Sequence, residues 1–185
     1  MLPCTVSIGV KEVTMRETIF QARAIALGAE LMRSHTTAAT RIRAALAVQE
    51  LAGQKPEPTD YHEVRDLGNA TIATALPDYL DCIGNVDGEG CRYRSSIYQL
   101  GLDLVTRRQP LILDLSRVTG INQESVNTLA TVQQLFHEAQ VIFLMVGVKP
   151  NCVTTMARVA SGLLDTVRTS SIESLVQHLP LSTEA

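Results

Sequence analysis

The pattern of apolar and polar positions divides the chain into stretches with helical spacing and short apolar runs. Apolar residues that recur every three or four positions predict helices, and short apolar or alternating runs predict strands. The predicted helices cover residues 16–32, 38–52, 95–107, 123–138, 151–162 and 172–179. The predicted strands cover residues 5–13, 62–66, 70–76, 111–115, 141–148 and 166–168. From residue 62 onward the order is a hairpin followed by alternating helices and strands. This order predicts an α/β fold in which helices pack on a mixed sheet.

Residues 54–60 contain two prolines among polar residues, a composition typical of an extended spacer. We therefore predict two parts, an N-terminal helical extension with its linker at 1–59 and an α/β domain at 60–182. The helical part would be marginally stable alone, so we expect it to pack on the second part or on a partner.

Several local signals predict where elements begin and end. Gly68 and Asn69 favour a hairpin turn, and residues 84–90 favour a polar loop. Ser95 or Ser96 could cap a helix. The spacing of Ser170 and Glu173 is typical of a capping box that opens the last helix.

Composition narrows the function. The net charge is −3 and the pI is about 5.8, and aromatic residues make up 4% with no tryptophan. These values do not favour nucleic-acid binding. No apolar run reaches the roughly 18–20 residues that span a bilayer, and the first residues do not resemble a signal peptide. We expect a cytoplasmic protein whose four cysteines, none in a CxxC pair, are free thiols.

The sequence offers no recognisable catalytic or cofactor motif. The histidines at 35, 62, 137 and 178 fall on separate predicted elements. A phosphate-binding P-loop and a glycine fingerprint after a strand are both absent. We therefore predict a protein that is not an enzyme and that has no cofactor and no metal site.

The stretch 111–126 is the strongest candidate for function. Its apolar strand is followed by a short loop and by the polar run Asn122, Gln123, Glu124 and Ser125 at the start of a predicted helix. A polar helix start after a buried strand can bind an anion or a partner. Asn122 also suits the N-cap position whatever the function.

Four short sequence motifs resemble, in their order and spacing, those of a STAS domain, the family of the bacterial anti-sigma factor antagonists. The motifs are EVRDLGNATI at 63–72, YLD at 79–81, LILDLSRV at 111–118 and FLMVGVKP at 143–150, and Gly162-Leu163 also fits. The resemblance covers about residues 60–180. It implies a STAS-like mixed sheet with packed helices, preceded here by the N-terminal helical extension.

The resemblance also implies a role in bacterial partner switching. In phosphorylatable members, a serine kinase that is also the anti-sigma factor or switch protein phosphorylates a hydroxyl residue at this helix start. Asn122 stands where the family has Asp, and Gln123 and Glu124 stand at the two hydroxyl positions. The usual acceptors are therefore missing, which leaves Ser125 and Thr128 as the phosphorylation candidates.

Glu124 has two interpretations. As a carboxylate it could partly mimic a phosphoserine, with a charge of about −1 against roughly −1.5 to −2 for phosphate. Alternatively, it only favours the first helical turn through the helix dipole, by roughly 0.3–1 kcal/mol.

Two functions remain open at this point. The first is a non-catalytic module of transcription regulation that binds an anti-sigma factor or switch serine kinase. Its N-terminal helices would dimerise or dock a partner. The second is an accessory domain that binds a small molecule or lipid at the same helix start. The predicted partner-binding residues are Asn122, Gln123, Glu124, Ser125, Lys149 and Asn151.

Overall fold

The computed structural model describes residues 36–51, 61–76, 79–80 and 89–179. The predicted strand 5–13, helix 16–32, linker 54–60 and most of the loop 84–90 lie outside these residues. The helices are α1 (Ala38–Leu51), α2 (Glu89–Thr106), α3 (Gln123–Glu138), α4 (Pro150–Val159) and α5 (Ile172–His178), with a 3-10 helix at Ser161–Thr166. The strands are β1 (His62–Asp66), β2 (Thr71–Ala75), β3 (Tyr79–Leu80), β4 (Leu111–Asp114), β5 (Gly120–Ile121), β6 (Phe143–Val146) and β7 (Val167–Arg168).

Five strands form one mixed sheet in the order β1-β2-β4-β6-β7, so β1 and β7 are its edge strands within the part of the chain that the structure describes. β1 and β2 are antiparallel, and the other neighbours are parallel. The hairpin turn contains Gly68 at φ +83°, a conformation that glycine adopts without strain. The predicted α/β class with a mixed sheet is confirmed.

The two faces of the sheet are covered unequally. Leu111 and Leu113 of β4 point into the main core beneath α1 to α4, while Ile112 points to the opposite face, where α5 packs. All three side chains are fully buried. A strand that is buried on both faces reads as a continuous apolar run, which is why β4 was recognisable in the sequence.

Helix α1, from the predicted N-terminal extension, packs against α2 and α3. Ala38 and Ile42 are completely buried within the main core. The backbone N–H of Ala38 donates to Glu138 Oε2 at 2.8 Å, which satisfies one of the free donors at the start of α1. Arg41 donates to the side-chain oxygen of Gln134 on α3. These contacts join α1 to the α/β part of the chain.

Several predicted boundaries were wrong. Helix α2 begins at Glu89 rather than at 95, because Tyr93, about one turn after Glu89, is already buried in the core. Ser95 and Ser96 are therefore buried helical residues and not caps. The last helix is capped by Ser171 rather than Ser170, since the Ser171 side chain accepts a hydrogen bond from the backbone N–H of Ser174.

Other elements are shorter than predicted, or were missed. β4 and β6 end at Asp114 and Val146, and α4 ends at Val159, after which the chain forms a 3-10 helix where an ending was expected. The short strands β3 and β5 pair in parallel as a separate two-stranded sheet. Neither was predicted. Within the described ranges every helix is too short or too polar to cross a bilayer.

Candidate functional site

Helix α3 begins at Gln123 with Asn122 as its N-cap, as predicted. Asn122 has extended backbone angles, and its side chain accepts a hydrogen bond from the backbone N–H of Ser125 at 2.9 Å. Its own backbone N–H donates to the carbonyl of Leu80 at 3.3 Å. Asn122 therefore holds the start of α3 through one hydrogen bond within the helix and one to β3.

Ser125, which was predicted as a partner-binding and phosphorylation residue, does not lie on the surface. Its side chain is fully buried, and its hydroxyl donates to the Leu80 carbonyl at 2.9 Å. Thr128, the other phosphorylation candidate, is 3% exposed. Both face the core because they share one stripe of α3 with Leu129 and Val132. Both side chains are therefore buried in this structure.

Gln123 and Glu124 do lie on the surface, in the first turn of α3, and Asn127 is exposed one turn further on. Glu124 is the acidic residue of that turn. A carboxylate there is favourably placed relative to the positive end of the helix dipole. The exposed side of the helix start is thus polar and carries one negative charge.

The loop between β4 and β5 is held by backbone hydrogen bonds and by the side chain of Asp114. The N–H of Leu115 donates to the carbonyl of Val146 at 2.9 Å, and the N–H of Val118 donates to the carbonyl of Leu115 at 2.9 Å. Asp114 Oδ1 accepts from the Ser116 N–H at 2.9 Å. Its other oxygen accepts a longer bond from the Thr74 hydroxyl at 3.4 Å. The Asp114 carboxylate therefore shapes the turn.

Gly147 follows β6 and lies directly against this loop. Its φ is +68°, and a Cβ atom at this position would stand 2.6 Å from the Ser116 backbone nitrogen and 2.7 Å from Ser116 Cα. Only glycine fits such an approach without displacing backbone. The turn after β6 and the loop after β4 are consequently packed together.

Asn151 makes a second link between the same two segments. Its side-chain Nδ2 donates to the Thr119 carbonyl at 2.6 Å. Lys149 precedes α4 as its N-cap residue without a side-chain cap, and Pro150 follows at the start of the helix. Lys149 is exposed, while Cys152 beneath it is buried. That burial raises the pKa of the Cys152 thiol, although the backbone N–H and the charge of Lys149 oppose the shift.

We call residues 116–124 and 147–151 together the α3 corner. The structure places the predicted residues Asn122, Gln123 and Glu124 in this surface, together with Lys149 and Asn151. Ser125 lies beneath this surface. The sequence indicated the loop 116–122, which contains Ser116 and Thr119, but it missed Gly147, whose close approach to Ser116 fixes the geometry of the corner. A glycine directly after an apolar strand is the one signal that could have pointed to Gly147.

A serine–histidine pair lies elsewhere in the fold. His62 Nδ1 is 3.3 Å from Ser96 Oγ, and the two side chains are 1% and 0% exposed. The His62 ring also stacks at a tilt on Tyr93, with centroids 5.3 Å apart. This pair packs α2 on β1 within the core. Among the described residues, no group of three or more His, Cys, Asp or Glu side chains could hold a metal ion.

Comparisons with known proteins add the following. No protein-family model and no curated protein matches the sequence. The solved structure of the anti-sigma factor antagonist SpoIIAA in its unphosphorylated form is similar, with a TM-score of 0.46 and 10% identity, over 63% of this chain and 93% of that chain. An anti-sigma-factor antagonist (STAS) domain protein from Planctomyces limnophilus is similar with a TM-score of 0.45 and 14% identity, over 69% of this chain and 100% of that chain.

The fold resembles that of STAS domain proteins. The short sequence motifs described above resemble the same family. In this fold, the α3 corner contains the helix start that follows the central strand β4.

Proposed function

We propose that the chain is a non-catalytic regulatory module that binds another protein through the α3 corner, in the manner of an anti-sigma factor antagonist in bacterial partner switching. The resemblance of residues 63–72, 79–81, 111–118 and 143–150 to STAS motifs supports the class of function. The partner would be an anti-sigma factor or a switch serine kinase.

The observation that carries the proposal is the construction of the corner itself. Most of its exposed side chains are polar or charged, with Pro150 the exposed apolar one, whereas Val118 and Ile121 are 1% and 6% exposed. The Asn151–Thr119 hydrogen bond and the Gly147–Ser116 contact hold the loops in place. A fixed geometry lowers the cost of binding a partner, because little ordering remains to be done on association.

The proposal includes the loss of the usual phosphorylation switch. Gln123 and Glu124 have no hydroxyl, and the hydroxyls of Ser125 and Thr128 are buried. A phosphate on Ser125 would replace the bond to the Leu80 carbonyl with a buried charge, which is strongly unfavourable. The helix start would therefore keep one binding state without toggling.

A binding experiment tests the interaction. The purified full chain is measured by surface plasmon resonance against a panel of the anti-sigma factors and switch kinases of the source organism. We expect one of them to bind, and Glu124→Lys to weaken that binding by roughly tenfold or more, because the substitution reverses the charge of the helix start. Asp165→Lys is the matched control, since Asp165 is exposed in the 3-10 helix away from the corner.

Binding that is equally weakened by both substitutions, or by neither, would count against the corner as the interface. A small molecule that co-purifies with the chain, in the absence of any binding regulator, would favour the ligand-binding alternative instead.

A second experiment tests the absent switch. The chain is incubated with the same kinases and ATP and then analysed by mass spectrometry. We expect no phosphate within residues 122–128. Phosphate on Ser125 or Thr128 would show that α3 opens enough to expose a hydroxyl, and the non-switching proposal would be abandoned.

A further inference from the structure

The α3 corner carries two cationic side chains on adjoining segments of backbone. Arg117 belongs to the loop after β4 and Lys149 to the turn after β6, and both are exposed. Gly147 contacts Ser116, the neighbour of Arg117, and Asn151 bonds to Thr119. Because these two contacts bind the loop to the turn, the cations extend from adjoining segments of backbone.

The described part of the chain does not neutralise these charges. Its ion pairs join Arg107 to Asp66 and to Asp103, at the other end of the sheet. Asp114 is the acidic residue nearest to Arg117 in the sequence, but its two oxygens accept from the Ser116 N–H and the Thr74 hydroxyl. Arg117 and Lys149 therefore make no ion pair with any residue that the structure describes.

We propose that Arg117 and Lys149 receive the carboxylates of an acidic segment on the partner protein, separate from the group of that partner that Glu124 contacts. The guanidinium group binds a carboxylate through two parallel hydrogen bonds, and the ammonium group adds a compact positive charge. Val118 and Ile121 are buried, so the exposed apolar surface of the corner is limited to Pro150 beside half-buried Val148. Charge complementarity is therefore the main interaction that these two cations can offer. The inference rests on the proposed role of the corner as a protein-binding surface.

The chemistry of this surface can be tested before any partner is known. The isotope-labelled full chain is titrated with a short poly-glutamate peptide, and amide chemical shifts are followed by NMR. We expect changes confined to residues 116–119 and 147–151 that disappear at high salt, because exposed charges are screened within about 8 Å at physiological ionic strength. A poly-lysine peptide should leave these amides unchanged.

Variants decide whether the two cations cause the effect. The double variant Arg117→Glu/Lys149→Glu should lose the shift changes. The control variant Arg43→Glu/Arg158→Glu, which alters the net charge equally at exposed positions on α1 and α4, should keep them. Unchanged amides at the corner in the wild type, or the same changes in the first double variant, would overturn the inference.

The partner found by the binding experiment separates this inference from the proposed function. The first double variant should reduce the association rate constant for that partner by roughly tenfold at low salt, since exposed charges act mainly on association. An unchanged association rate constant would refute the proposal of an acidic segment and leave the proposed function intact. Binding of poly-glutamate at the corner, with no regulator bound by the chain, would refute the proposed function and leave the anionic site.

Discussion

Substitution of Gly147 by alanine is the sharpest test of how the corner is built. The new Cβ would lie 2.6 Å from the Ser116 nitrogen and 2.7 Å from both Ser116 Cα and Cβ. Two of these three atoms belong to the backbone, so a rotation of the Ser116 side chain cannot relieve the overlap. The loop after β4 must move away from the turn after β6, or the protein must unfold more readily.

The expected loss of stability has two parts. A residue with a Cβ at φ +68° costs about 1–2 kcal/mol through its left-handed backbone conformation. Forcing an additional methyl group into a packed site typically costs about 1–3 kcal/mol. The free energy of unfolding should therefore fall by about 2–5 kcal/mol, a large share of the roughly 5–15 kcal/mol of an ordinary domain.

Substitutions at two other glycines allow the conformational and the packing contributions to be measured separately. Gly68 has φ +83°, and the place that an alanine Cβ would take there has no other atom within 4 Å, so Gly68→Ala should lose only the conformational term of about 1–2 kcal/mol. Gly162 has open space and no positive φ, so Gly162→Ala should be close to neutral. Urea unfolding followed by circular dichroism gives the three values, compared at a common slope. A Gly147→Ala variant as stable as Gly68→Ala would refute the close contact with Ser116.

Three further predictions use the same unfolding assay. Ser125→Ala should lose about 1 kcal/mol with the hydrogen bond to Leu80, and Ser125→Asp should lose more because it buries a charge; an aspartate as well tolerated as alanine would contradict the burial. A hydrogen bond from the Gly68 N–H, together with one from Gln109, lowers the pKa of Asp66. A lowered folded-state pKa gives stability that is present above the ordinary aspartate pKa and is lost as the pH falls through the folded value. Asp66→Asn should therefore be less stable than wild type at neutral pH, with a gap that closes in strong acid; a gap independent of pH would contradict this. Ile42→Ala should lose about 2–5 kcal/mol, and the partly exposed Val48→Ala clearly less; equal losses would show that α1 does not belong to the core.

Elements with a strong local pattern could be predicted from the sequence. The helix expected at 123–138 is observed at the same bounds, and the hairpin of β1 and β2 forms around Gly68 as its turn residues indicate. The apolar runs of β4 and β6 marked the buried centre of the sheet, although both strands proved shorter. In each case the determining information lies within a few neighbouring residues.

The features that were missed depend on distant residues. The pairing of Tyr79–Leu80 with Gly120–Ile121 leaves no periodic pattern, because each strand has only two residues. Ser125 belongs to a polar run, but its hydroxyl meets a carbonyl 45 residues earlier in the chain. The spacing of Ser125 with Leu129 and Val132 on one helical stripe was nevertheless readable, and it predicts the buried side.

The site itself could be predicted only in outline. The sequence indicated the helix start and the turn before α4 as neighbours, because both follow the carboxyl ends of parallel strands. It could not show that Gly147 and Asn151 bind the two segments together, since these contacts require the register of β4 against β6.

The two edges of the five-stranded sheet limit how the protein can assemble. On one side, β1 carries Glu63, Arg65 and Asp66 within five residues, and on the other, β7 is only two residues long. Charged side chains and very short strands are the means by which proteins discourage edge-to-edge aggregation. The sheet is therefore a poor template for a further strand from a second molecule. An oligomer or a complex of this protein should form through its helices or its loops, and fibrous growth by strand addition should be suppressed.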